Sequence, residues 1–64
     1  MIIEVKDLVA GDLINTNSKD WEVVGVSTYK DVIGTFVKIQ LKELITGVER
    51  DFSVDPDITV LKLN

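Results

Sequence analysis

Side chains that could carry out catalysis are few in this chain of 64 residues. It contains no His and no Cys, so the groups that most often move protons near neutral pH or act as thiolate nucleophiles are missing. General acid–base chemistry would fall to carboxylates, to Lys30 and to Tyr29, and no recognised motif organises them. We therefore expect a protein that is not an enzyme, with no catalytic residue and no cofactor.

A carboxylate pair, Asp55-Pro56-Asp57, has a spacing that could suggest a cation site. It lacks the Gly and the distal Glu of a calcium loop, and a Pro separates the two carboxylates. Aspartates that form a turn are the better interpretation, because Asp and Pro favour turn conformations. The four glycines lie too far apart to form a phosphate-binding loop. We expect no metal site.

Residues that could bind a partner are more numerous than residues that could catalyse a reaction. The first group lies in the segment 28–34, which we predict to be a loop. Its aromatic and basic residues, Tyr29 and Lys30, are followed by the apolar pair Val32 and Ile33. An apolar pair in a connecting loop either packs under the domain or is offered to a partner. The residues alone leave both alternatives open.

A second group of candidates lies on the following strand. If this strand alternates regularly, Phe36 shares a face with Lys38 and Lys42, and an aromatic ring beside cations is typical of barrels that bind nucleic acid. A bulge or curvature that turns Phe36 inward is the favoured alternative. Together with the loop, the candidate binding residues are Thr28, Tyr29, Lys30, Val32, Ile33, Phe36, Lys38 and Lys42.

The elements that must position these residues are short β-branched runs separated by polar turns. The predicted strands are residues 2–6, 13–15, 21–28, 35–43, 48–54 and 58–63. The polar run 15–20 predicts a hairpin loop, and Asp and Gly in residues 7–12 predict turns. Gly25 inside the third strand predicts a bulge or a sharp bend. Val37, Leu41 and Leu44 also fit helical spacing, but the flanking β-branched residues favour a strand. The pattern predicts an all-β domain over residues 1–64, a small barrel or sandwich of five to six short antiparallel strands. We expect Trp21 to pack in its core or at a barrel end.

Size and charge limit the partners. A chain this short has no disulfide to stabilise it and depends on an efficient barrel or on homo-oligomerisation. Its formal net charge is −4, the wrong sign for a broad grip on phosphate backbones, which disfavours DNA. The apolar runs are too short to cross a membrane and the N-terminus lacks a basic, apolar leader pattern, so we expect a cytoplasmic protein.

Three spaced motifs resemble the N-terminal domain of bacterial elongation factor P. They are Asp7-Leu8-x-x-Gly11-Asp12, then Trp21-x-Val23-Val24, then Phe36-Val37-x-Ile39-x-Leu41-Lys42-x-Leu44-x-Thr46-Gly47. The resemblance covers roughly residues 5–54 and implies an SH3-like barrel of the KOW type. It also implies a partner in the translation machinery or RNA. Most matched positions are core and turn residues, which report the fold rather than the function.

The departures from that family fall on its functional loop. Where the family carries Lys-Pro-Gly and a basic tip residue, this chain has Lys30 followed by Asp31-Val32, with Ile33 near the tip. We expect no counterpart of the two further domains of the factor. The first hypothesis is therefore a stand-alone, non-catalytic binding module that engages a protein or ribonucleoprotein through residues 28–34. The alternatives are a homo-oligomer that binds a small ligand such as a nucleotide, and a structural assembly subunit of phage type.

Overall fold

One antiparallel sheet of six strands forms the whole domain. The computed structural model describes residues 1–64. Its elements in chain order are β1 Ile2–Glu4, a 3₁₀ turn Val5–Asp7, β2 Leu13–Thr16, β3 Lys19–Asp31, β4 Gly34–Glu43, β5 Glu49–Val54 and β6 Thr59–Lys62. The strand order is β1-β6-β2-β3-β4-β5, and all pairings are antiparallel. The predicted all-β, barrel-like class with five to six antiparallel strands is confirmed.

The strand boundaries differ from the prediction mainly around β3. This strand runs from Lys19 to Asp31 rather than over residues 21–28, because two-residue turns at both of its ends let the neighbouring strands keep pairing. The first strand, by contrast, stops at Glu4, and Val5–Asp7 form the 3₁₀ turn. Residues 34–43 are a strand throughout, so the helical alternative is wrong.

Asn17 and Ser18 form the turn between β2 and β3. Their φ angles are 53° and 62°, and positive φ at both central positions is what a type I′ hairpin turn requires. Asn adopts this conformation more readily than most residues. The predicted polar hairpin loop is confirmed, although it is tighter than residues 15–20.

The core lies on one face of the sheet, called the inner face below. Alternation along β4 buries Val37, Ile39 and Leu41 and exposes the residues between them. Trp21 is buried, meets the Phe52 ring edge-on at 6.1 Å between centroids, and its indole N–H donates to the backbone carbonyl of Thr16 at 3.0 Å. The predicted packing role of Trp21 is confirmed. The nine core residues are Val5, Leu8, Ile14, Trp21, Val23, Val37, Ile39, Leu41 and Val60.

The turn that precedes β2 is held by its aspartate. The buried Asp12 carboxylate accepts the Val9 backbone N–H at 3.0 Å and lies 3.5 Å from Lys62 Nζ. Gly11 has a φ of +96°, and its N–H donates to the carbonyl of Val23 at 2.8 Å. The turn chemistry predicted for Asp and Gly in this segment is confirmed.

A bulge in β3 decides which side chains reach the outer face. Val23 pairs with Leu41 and Gly25 pairs with Gln40, so Val24 has no partner across the strands. A Cβ on Gly25 would lie 2.7 Å from Oε1 at the end of the flexible Gln40 side chain, which would have to move aside. The predicted bulge at Gly25 is confirmed.

No helical segment is long and apolar enough to cross a membrane.

The neighbouring valines at the bulge offer a matched test of the core. Val23 is completely buried whereas Val24 is 42% exposed. We expect Val23→Ala to lower the free energy of unfolding by about 2 kcal/mol, from lost burial and the cavity left behind. Val24→Ala should cost about 0.5 kcal/mol or less. Denaturant titrations of both variants measure the difference, and equal costs would contradict the assigned core.

Candidate binding site

The segment predicted to be a loop is the end of a long hairpin. Thr28 to Asp31 continue β3, and only Val32 and Ile33 form the turn before β4 starts at Gly34. The prediction of an irregular loop over residues 28–34 is therefore wrong. The physical reason is that Asp31 pairs with Gly34 across the turn, so backbone pairing continues to the last residues of the hairpin. We call the end of this hairpin, residues 28–36, the hairpin arm.

The outer face of the hairpin arm carries an aromatic pair. Tyr29 lies directly opposite Phe36 in the β3–β4 register, and the rings are stacked with centroids 5.8 Å apart and an interplanar angle of 28°. The Tyr29 hydroxyl is hydrogen-bonded to the hydroxyl of Ser53 on β5. Phe36 thus stays on the outer face, outside the core and half-buried. The alternative that curvature turns it inward is wrong, because Tyr29 covers it there.

Two aliphatic side chains form the tip of the hairpin arm. Val32 is fully exposed and Ile33 is 80% exposed. The Asp31 carboxylate accepts the Ile33 backbone N–H at 2.8 Å, and Gly34 has a φ of +147°, so the turn is held by its own residues. The alternative that this pair packs under the domain is wrong.

The cations of the candidate set are distributed over both faces. Lys38 and Lys42 lie on the outer face, as predicted, and Lys38 Nζ is 3.7 Å from the Asp51 carboxylate. Lys42 stands between Glu22 and Glu49 of the adjacent strands. Both lysines therefore have acidic neighbours, and the outer face does not form the cationic surface that a nucleic-acid backbone requires.

The remaining two candidates point to the opposite side. Thr28 lies opposite Val37 and Lys30 opposite Thr35, on the inner face beyond the core. Lys30 is exposed and has no carboxylate within ion-pair distance. The structure thus places Tyr29, Phe36, Lys38 and Lys42 on the outer face, and it separates them from Thr28 and Lys30.

An apolar cleft on the inner face is a feature that the sequence did not predict. The sheet ends at β1 on one side and at β5 on the other, and these two strands do not pair. The opening leaves a cleft of about 180 Å³. Alternation along β5 indicates that Phe52 and Val54 point inward, but no local pattern shows that the sheet edges stay apart. The lining residues are Val5, Thr16, Asn17, Ile39, Leu41, Phe52, Val54, Ile58 and Val60.

The rim of this cleft is acidic. Asp55 and Asp57 lie in the turn between the lining residues Val54 and Ile58. Lys6, next to lining residue Val5, is the nearby cation, and its Nζ lies 3.2 Å from the Glu4 carboxylate. The hydrogen bond to Glu4 and the negative charges of Glu4 and Asp57 raise the pKa of Lys6 above its ordinary value. Lys6 is thus already engaged by Glu4.

No protein-family model matches this chain, and no curated protein matches it. The relation to the elongation factor P domain stays a prediction from the residues quoted above.

The link between the aromatic pair and β5 can be measured by a double-mutant cycle. We expect Tyr29→Phe and Ser53→Ala each to lower the free energy of unfolding by about 1 kcal/mol or less, since the hydroxyl bond is exposed to water. The double variant should cost no more than either single change, because both remove the same bond. Additive costs in denaturant titrations would show that the two hydroxyls act independently.

Proposed function

We propose that this protein is a non-catalytic binding module of the SH3-like barrel type, and that its hairpin arm docks into an apolar recess of a protein partner. The observation that supports this most is the tip itself. Val32 and Ile33 are the foremost residues of the arm, and both are almost free of contacts with the rest of the chain. A solvent-exposed aliphatic pair at a chain reversal, where polar residues are usual, lowers solubility without contributing to the core.

Burial of this tip contributes part of the driving force for recognition. Transfer of one Val or Ile side chain from water to an apolar site contributes roughly 1.5–3 kcal/mol. Association also costs several kcal/mol in translational and rotational freedom. A rigid arm avoids the additional entropic cost of ordering a flexible segment on binding. The Asp31 bond to Ile33 and the stack of Tyr29 on Phe36 hold the arm in one conformation before binding.

The charges favour a protein over a nucleic acid as the partner. The outer face pairs Lys38 with Asp51 and surrounds Lys42 with carboxylates, and the chain carries a net charge of −4. A ribonucleoprotein partner, as the elongation factor resemblance implies, would be engaged through its protein component. The nucleotide alternative has less support, because Lys30 and Thr28 lie on the opposite face from the aromatic pair.

Ile33 and Ile45 provide a matched pair of variants for the test. Both are exposed turn residues, at 80% and 91%, but only Ile33 belongs to the hairpin arm. Tagged protein is isolated from the cells that naturally produce it, and bound proteins are quantified by mass spectrometry. We expect Ile33→Asp to reduce the specifically bound partner by at least about tenfold, a loss of about 1.4 kcal/mol in binding. Ile45→Asp should leave binding unchanged.

Two results would contradict the proposal. One is capture of the same partner by wild-type protein and by Ile33→Asp. The other is a bound fraction that consists of RNA and that weakens steeply with salt, as contacts to phosphates do.

A further inference from the structure

We propose that the hairpin tip of one copy docks into the apolar cleft of a second copy of this chain. The inference rests on the proposed function, because it uses the same tip and names its partner. It joins two apolar features that the folded chain leaves uncovered, the tip formed by Val32 and Ile33 and the cleft on the inner face.

The size of the cleft decides what can occupy it. Sites for small organic molecules usually measure roughly 300–1,000 Å³, and this cleft measures about 180 Å³. One or two aliphatic side chains are therefore a better fit than a nucleotide. Seven of the nine lining residues are hydrophobic, which matches the chemistry of Val32 and Ile33.

The charges around the two features are complementary. Asp55 and Asp57 on the cleft rim form no ion pair within the chain, and Lys30 beside the tip forms none either. The other charge at the tip, the Asp31 carboxylate, accepts the Ile33 N–H and, by strand alternation, lies on the opposite face of the arm from Lys30. A docked tip would bring the Lys30 amine, which has no ion-pair partner in its own chain, towards the acidic rim. The same rim would repel an acidic partner, so the charges favour a second copy.

The contact is heterologous, because the tip and the cleft are different surfaces of the chain. Repetition of such a contact gives a closed ring or an open chain of copies. Two aliphatic side chains bury little area compared with a stable interface, so the association should be weak and should increase with protein concentration.

Complementation between two variants tests this contact specifically. Ile33→Asp destroys the tip and keeps the cleft, whereas Val54→Phe fills the cleft and keeps the tip. We expect wild type and Ile45→Asp to self-associate in sedimentation velocity runs over a concentration series. Each of the other two variants should stay monomeric alone, with a Kd raised at least about tenfold. Their mixture should form a one-to-one complex, because one intact tip and one intact cleft remain.

A second cleft variant is available in case Val54→Phe does not fold. If circular dichroism shows that Val54→Phe is unfolded, Ile58→Glu replaces it, since Ile58 lines the cleft but is 46% exposed. A wild-type protein that is monomeric at every concentration overturns the inference, as does a mixture of folded variants without a complex. If the chain never self-associates but Ile33→Asp still loses a cellular partner, the inference fails and the proposed function stands. If Ile33→Asp changes neither property, both fail.

Discussion

The pairing of β3 with β4 is the contact on which the rest of the structure depends. It runs without a gap, apart from the bulge, from Trp21–Glu43 at one end to Asp31–Gly34 at the other. Its inner face supplies most of the core, and β2 and β5 attach to its two sides. The two strands are longer than the core requires, and the excess length becomes the hairpin arm. Stability and the candidate site thus come from one pair of strands.

A single extra residue in β3 sets the chemistry of the arm. Strict alternation from Trp21 would point Tyr29 to the inner face, together with Val23. The unpaired Val24 shifts that alternation, so Tyr29 reaches the outer face and stacks on Phe36. The same shift sends Lys30 to the inner face, the side on which the cleft lies. The bulge therefore places the adjacent residues Tyr29 and Lys30 on opposite faces, so the aromatic surface is separated from a cation that has no ion-pair partner.

Small size explains why apolar surface remains. The six strands surround the core on the inner face of the sheet, but β1 and β5 do not pair, so the inner face stays open between them. A domain of this size buries a smaller fraction of its surface than a larger one does. The resulting cleft and the exposed tip of Val32 and Ile33 are both costs to an isolated chain. Each becomes favourable once another molecule covers it, which connects the limited core to a role in binding.

The sequence by itself determined what depends on local pattern. Alternation of Val37, Ile39 and Leu41 predicts a strand with one buried face, the polar run 15–20 predicts a hairpin loop, and Gly25 predicts a bulge. These signals are encoded within a few neighbouring residues. Only the tertiary structure decided how far the β3–β4 pairing extends and that the tip is uncovered. It alone also shows that β1 and β5 leave a cleft. The physical reason is that backbone pairing and side-chain exposure depend on residues that are distant in the chain. The spacing of neighbouring residues does not show which distant segments come together.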